Sequence, residues 1–151
     1  MRRLALPAAV LVLLAACTAA PDPGPDADEI EAWFSRQSGS SADDSLGSAT
    51  SKADPADDDL EQPDDAGVTL TFSEPTGLTG VRLSCFGSTS LDFRVHVTTA
   101  SASRTYGYDD VACGEDAEQA LADTDVTDVR LEASGADHAG AWHAVVLGRA
   151  G

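Results

Sequence analysis

Leu91-Asp92-Phe93-Arg94-Val95-His96-Val97-Thr98 alternates apolar and polar residues without a break. A period of two puts Leu91, Phe93, Val95 and Val97 on one face of a pleated strand and Asp92, Arg94, His96 and Thr98 on the other, as in a strand half-buried against a core. The same parity holds on either side. Val68, Leu70 and Phe72 alternate with Thr69 and Thr71, and Val81, Leu83 and Cys85 with Arg82 and Ser84. Val111 and Cys113 share one parity, and Val129, Leu131 and Ala133 alternate with Asp128, Arg130 and Glu132. Trp142 to Leu147 is apolar on both parities except at His143, which suits a strand covered on both faces. Pro75-Thr76-Gly77, Gly87-Ser88, Ser101-Ala102-Ser103 and Ser134-Gly135-Ala136-Asp137 supply turns between these runs. The pattern predicts a small antiparallel β-sandwich over residues 67–151. A short helix through Ala117, Ala120 and Leu121 is the competing reading for residues 115–123.

Residues 17–66 are of a different kind. They carry fourteen acidic residues against Arg36 and Lys52, with Pro-Asp-Pro-Gly-Pro near the start and the run Asp57-Asp58-Asp59 near the end. Such a segment buries too little apolar surface to offset its ordering entropy, so a disordered tether is expected. The 49 residues after Cys17 would span about 35–42 Å as a flexible chain. One stretch interrupts it: Ile30, Trp33 and Phe34 fall at i, i+3 and i+4, with Asp28 and Glu31 spaced as a capping pair. A helix this short forms only against a surface. That surface is the chain's own domain, a protein partner for which Ile30, Trp33 and Phe34 would be the docking motif, or the membrane.

At the N-terminus Arg2 and Arg3 precede an uncharged run rich in Leu, Val and Ala over residues 4–16, the form of a secretory signal. Thirteen residues are too few to span a hydrocarbon core that needs about 20 as helix. Leu14-Ala15-Ala16-Cys17 ends this run and resembles the lipobox of bacterial lipoproteins. The resemblance implies a signal peptide over residues 1–16 and a diacylglyceryl group on Cys17, which becomes the mature N-terminus. The protein would then be lipid-anchored on the extracytoplasmic face of the cell membrane. Two or more acyl chains give stable anchoring where one is marginal.

With Cys17 assigned to lipid, Cys85 and Cys113 remain as an even pair on the oxidising side of a membrane, and a disulfide is expected. Both lie on inward parities of their runs, consistent with a staple across the core. The absence of Asn, a single Lys against eight Arg and abundant Ala, Gly and Asp suggest a GC-rich genome and an actinobacterial surface. Cys85-Phe86-Gly87, Val111-Ala112-Cys113-Gly114 and the closing Trp142-His143-Ala144-Val145-Val146-Leu147 are similar to a pattern in small secreted actinobacterial lipoproteins. That resemblance covers residues 68–148 and implies the β-fold without any catalytic residue.

The formal charge is −17, and −19 once Arg2 and Arg3 are removed with the signal. A nucleic-acid partner needs a basic footprint and is excluded on this ground. Several clusters have chemistry to weigh. His96 with Asp92 would be half of a hydrolytic triad, but no Gly-x-Ser-x-Gly elbow completes it. His138 and His143 lack metal-pair spacing. Asp123, Asp125 and Asp128 would suit Ca²⁺ through oxygen ligands, though the glycine and distal glutamate of an EF-hand loop are missing. Asp109, Asp110, Glu115 and Asp116 flank Cys113, and paired carboxylates would suit glycoside hydrolysis. No cofactor is implied. The expectation is a binding or interaction module engaging an envelope component or protein. The alternatives are a wall-active hydrolase using Asp92 and His96 or the acidic loops, and a structural envelope lipoprotein.

Overall fold

The computed structural model describes residues 24–39, 43–55 and 67–149. The signal peptide expected over residues 1–16 and the lipidation expected at Cys17 fall outside the described residues. Among the described residues helix α1 (Ala27–Gln37) is followed by seven strands: β1 (Ser45–Ala53), β2 (Val68–Phe86), β3 (Ser90–Thr99), β4 (Ser103–Ala112), β5 (Ala117–Ala120), β6 (Val126–Ser134) and β7 (Gly140–Arg149). All strand pairs are antiparallel. They form the disulfide-stapled antiparallel β-sandwich expected, with β2 shared between its two layers.

The first limb of β2 pairs β6, from Val68 opposite Leu131 to Thr71 opposite Asp128. Its second limb pairs β7, from Gly77 opposite Arg149 to Phe86 opposite Ala141, and also β5. One layer is therefore β1-β7-β2-β5 and the other β2-β6-β3-β4. The turn residues at Pro75-Thr76-Gly77 do not separate two strands. They make the corner where one strand passes between layers, a place where a proline's missing N–H costs no ladder bond. The buried Thr76 hydroxyl holds that corner by donating to the Arg149 carbonyl at 2.9 Å.

Leu91, Phe93, Val95 and Val97 are each at most 1 % exposed, so the alternation of β3 assigns its faces correctly. From the other layer Trp142 meets Phe93 edge-on, with ring centroids 6.1 Å apart. Every residue of β7 from Gly140 to Gly148 is buried, as its apolar run on both parities requires. Cys85 and Cys113 form the disulfide, joining the end of β2 in one layer to the residue after β4 in the other. The Gly114 N–H donates to the Cys85 carbonyl and the Cys113 N–H to the Thr89 carbonyl, both at 3.0 Å, fixing the turn around the bridge.

Three further features differ from the sequence reading. Residues 117–120 are a strand on the outer side of β2 and not a helix. The acidic segment assigned to the tether contributes both α1 and β1 to the folded body. Ser45 pairs with Leu147 and Ala53 with Gly140, so β1 covers the free edge of β7. The backbone of β7 has ladder groups to satisfy, and a strand of small residues meets that need without large apolar side chains. Finally, the capping box of α1 is Asp26 with Glu29, two residues before the pair expected. The Asp26 carboxylate accepts from the Glu29 N–H at 2.9 Å and the Glu29 carboxylate from the Asp26 N–H at 3.0 Å.

Helix α1 lies on the outer face of the β1-containing layer. Ile30 and Trp33 are buried with Ala141, and Phe34 and Phe86 pack around them. Trp33 stacks on Phe86 at 6.2 Å and meets Phe34 edge-on at 5.7 Å. The residues proposed for partner docking are thus placed on the chain's own sheet, with Phe34 partly exposed. The chain enters this packing through Gly24, whose φ of +70° suits glycine, and Pro25. A Cβ on Gly87 would lie 2.7 Å from Pro25, so that glycine allows the entry segment its close approach.

His143 is 5 % exposed, on β7 between Thr50 of β1 and Ser84 of β2. Burial holds its imidazole below the ordinary value, opposed by the charge of Asp116. The unfolded chain therefore takes up the proton first as pH falls below about 6.5. Stability contributed by neutral His143 is complete above that pH and lost below it. Urea unfolding at pH 7 and pH 5 is expected to show a smaller drop in His143→Gln than in the natural chain; equal drops would remove His143 as the cause.

Candidate functional site

The strands run between two ends of the sandwich, and a cleft lies at the end where β2 turns its corner. Three connections meet there: Pro75, the β3–β4 hairpin and the loop from β5 to β6. The hairpin is tightened by Thr99, whose N–H donates to the Ala102 carbonyl at 2.8 Å and whose hydroxyl accepts from the Ala102 N–H at 3.1 Å. The β5–β6 loop is held by main-chain bonds from Leu78 to the Asp123 carbonyl at 2.8 Å and from Leu121 to the Thr79 carbonyl at 3.1 Å. Asp125 adopts a φ of +57° in this loop. Together they enclose a cleft of about 550 Å³ with Val97, Ala100, Ala102 and Ala122 among its walls and Ser101, Arg104 and Thr124 around them.

Asp123 is buried, 4 % exposed, and carries the polar chemistry of this cleft. Arg104 and Tyr106 are two residues apart on β4 and share a face. The Arg104 guanidinium donates to one Asp123 oxygen at 2.6 Å, and the Tyr106 hydroxyl donates to the other at 2.5 Å. The bond to Asp123, with burial second, pushes the Tyr106 hydroxyl above its ordinary value, so it stays a donor. Tyr106 and Asp123 in turn favour the charged guanidinium of Arg104. A buried carboxylate is tolerable when paired and hydrogen-bonded in this way.

The guanidinium remains largely exposed, with further N–H donors on a planar fork fixed by Asp123. The cleft therefore offers oriented donors, a neutralised carboxylate and small apolar walls. Donors and walls of this kind suit a hydroxyl- or amide-bearing group. Nothing in the sequence pattern joined Arg104 and Tyr106 to Asp123; their shared parity on β4 was the one available signal.

The other clusters assemble differently from their expected roles. Asp92 accepts from the Asp110 N–H at 2.8 Å. His96, four residues along the same strand and about 13 Å away, contacts Thr105 at 2.9 Å and Glu132 at 3.2 Å. Asp92 and His96 thus do not form half of a triad. His138 sits beside Asp137 at 3.2 Å in the β6–β7 loop, apart from His143 within β7.

Asp123, Asp125 and Asp128 do not converge as a calcium site. Asp123 faces Arg104, while Asp128 accepts from the Thr71 hydroxyl at 2.8 Å on the outer face. Among the described residues no group of three or more His, Cys, Asp or Glu is placed to hold a metal ion. Asp109, Asp110, Glu115 and Asp116 do share one shallow groove of about 360 Å³, in which Asp109 is paired with Arg94 at 2.8 Å.

The fold and cleft define a disulfide-stapled β-sandwich with a charge-balanced cleft among its end loops. In comparisons with known proteins, the chain matches no protein-family model and no curated protein.

Proposed function

We propose that this protein is a lipid-anchored binding module on the extracytoplasmic face of the cell membrane, and that its cleft at Arg104 and Asp123, the latter held by Tyr106, engages an envelope component. The observation that carries the reading is the cleft itself: polar groups pre-set against one another among the end loops of a rigid sandwich. Binding residues concentrate on loops positioned by such scaffolds. The disulfide supports the compartment, because such bonds persist on oxidising sides of membranes. The lipobox-like Leu14-Ala15-Ala16-Cys17 supplies the anchor.

Titrating the purified domain with soluble wall-polymer fragments while following amide NMR shifts tests the binding role. Shifts centred on residues 99–104 and 122–125, lost in Arg104→Ala, are expected. Turnover of peptidoglycan or ester substrates that disappears in His96→Ala would replace this reading with the hydrolase. For the anchor, Cys17→Ser is expected to send the protein into the medium or leave its precursor unprocessed. Undiminished membrane retention of that variant would overturn the anchoring.

A further inference from the structure

The sandwich has two ends, and the chain enters at the one remote from the cleft. Gly24 and Pro25 pack against His138 and Gly87, in the β6–β7 and β2–β3 connections. The capping box and the burial of Ile30 and Trp33 then hold α1 to the same body. From that end β3 runs from Ser90, next to Gly87-Ser88-Thr89, to Thr99 at the cleft. Its ten residues cover about 30 Å. The second strand of the same span agrees: β7 begins at Gly140, opposite Ala53, and ends at Arg149, opposite Gly77 beside the corner.

We infer that the cleft faces away from the bilayer, toward the wall, with the end formed by Gly24, Gly87-Ser88-Thr89 and His138 apposed to the membrane. The inference rests on the proposed Cys17 anchor for where the membrane lies. Its quantitative core is the length of the connector. Residues 18–23 are all that separates Cys17 from the packed Gly24, a reach of about 25 Å at full extension and nearer 15 Å when relaxed. An inverted sandwich, cleft toward the lipid, would carry Gly24 about 30 Å above the surface. The connector is too short for that arrangement.

A 49-residue tether would have allowed any orientation; a docked α1 does not. The stand-off of the cleft comes from the rigid length of the sandwich. The fitting partner for the cleft is thus a hydroxyl- or amide-bearing polymer of the wall side, and not a lipid headgroup.

Relaxation enhancement of backbone amides by gadolinium-chelating lipid in nanodiscs tests this. One arm uses the protein purified from membranes; the other couples the chain to a maleimide lipid through Cys17, its one cysteine outside the disulfide. Amides of Gly87, Ser88, Thr89 and His138 are expected to show enhancements about tenfold or more above those of Ser101, Ala102 and Thr124, given the steep distance dependence over roughly 30 Å. Equal enhancement at the two ends, or larger values near the cleft, in the coupled arm would overturn the orientation. If the coupled arm shows the expected gradient and membrane-purified material carries no lipid, the orientation set by the connector stands and the native anchor fails.

Discussion

Replacing Cys85 and Cys113 together by alanine is expected to lower the free energy of unfolding by about 3–4 kcal/mol, the chain-entropy value for closing a loop of this length. The separation of the two cysteines is 28 residues. For a domain of this size the melting temperature would fall by roughly 15–25 °C. Position makes the effect large. The bridge joins the last part of β2 in one layer to the residue following β4 in the other, so its loss frees the two layers at one end. The neighbouring main-chain bonds of Cys113 and Gly114 depend on the same turn. Replacing both residues avoids an unpaired thiol, and urea unfolding monitored through Trp142, buried in the core, reads the result directly. A loss below about 1 kcal/mol would mean that the paired sheets suffice and that the bridge constrains the unfolded chain far less than loop entropy requires.

Parity made most of the sandwich legible. Leu91, Phe93, Val95 and Val97 advertise a buried face through their own side chains, and Cys85 lies on the inward parity of its run. Strand β1 carries no such signal. Ser45-Leu46-Gly47-Ser48-Ala49-Thr50-Ser51-Lys52-Ala53 buries only Ala49 and Ala53, and it becomes a strand because β7 presents an open ladder edge. Its cause is tertiary, so local propensity does not reveal it. For α1 the buried face was legible but the start was ambiguous, since Asp26-x-x-Glu29 and Asp28-x-x-Glu31 both satisfy the capping spacing. The cleft was hidden for a similar reason as β1. Asp123 reaches Arg104 and Tyr106 only through the fold, and His96 finds Glu132 through the β3–β6 register and not through its neighbour Asp92.

Trp33→Ala is expected to release α1 while leaving the sandwich intact. Truncating a buried Trp costs about 3–5 kcal/mol, and an 11-residue helix has little stability of its own to set against that. Trp33 is 6 % exposed and contacts both Phe86 and Phe34, so the docked face loses its centre. Hydrogen exchange is the discriminating measurement. Amides of Ala27–Gln37 should lose protection about 100-fold or more, the equivalent of roughly 3 kcal/mol, while those of Val95 and Val146 in the core keep theirs. Unchanged protection across the helix would show that Ile30 and the capping box hold it without the indole. The consequence for function follows from chain length. With α1 released, the first packed residue becomes Ser45, at the cleft end of β1 opposite Leu147. The connector from Cys17 would then reach about 90 Å at full extension, three times the length of the body. The gradient of relaxation enhancement along the sandwich should flatten in this variant, because a connector that long no longer selects which end meets the membrane. On the proposed anchor, orientation of the cleft would be set by one stacked indole as much as by the lipid.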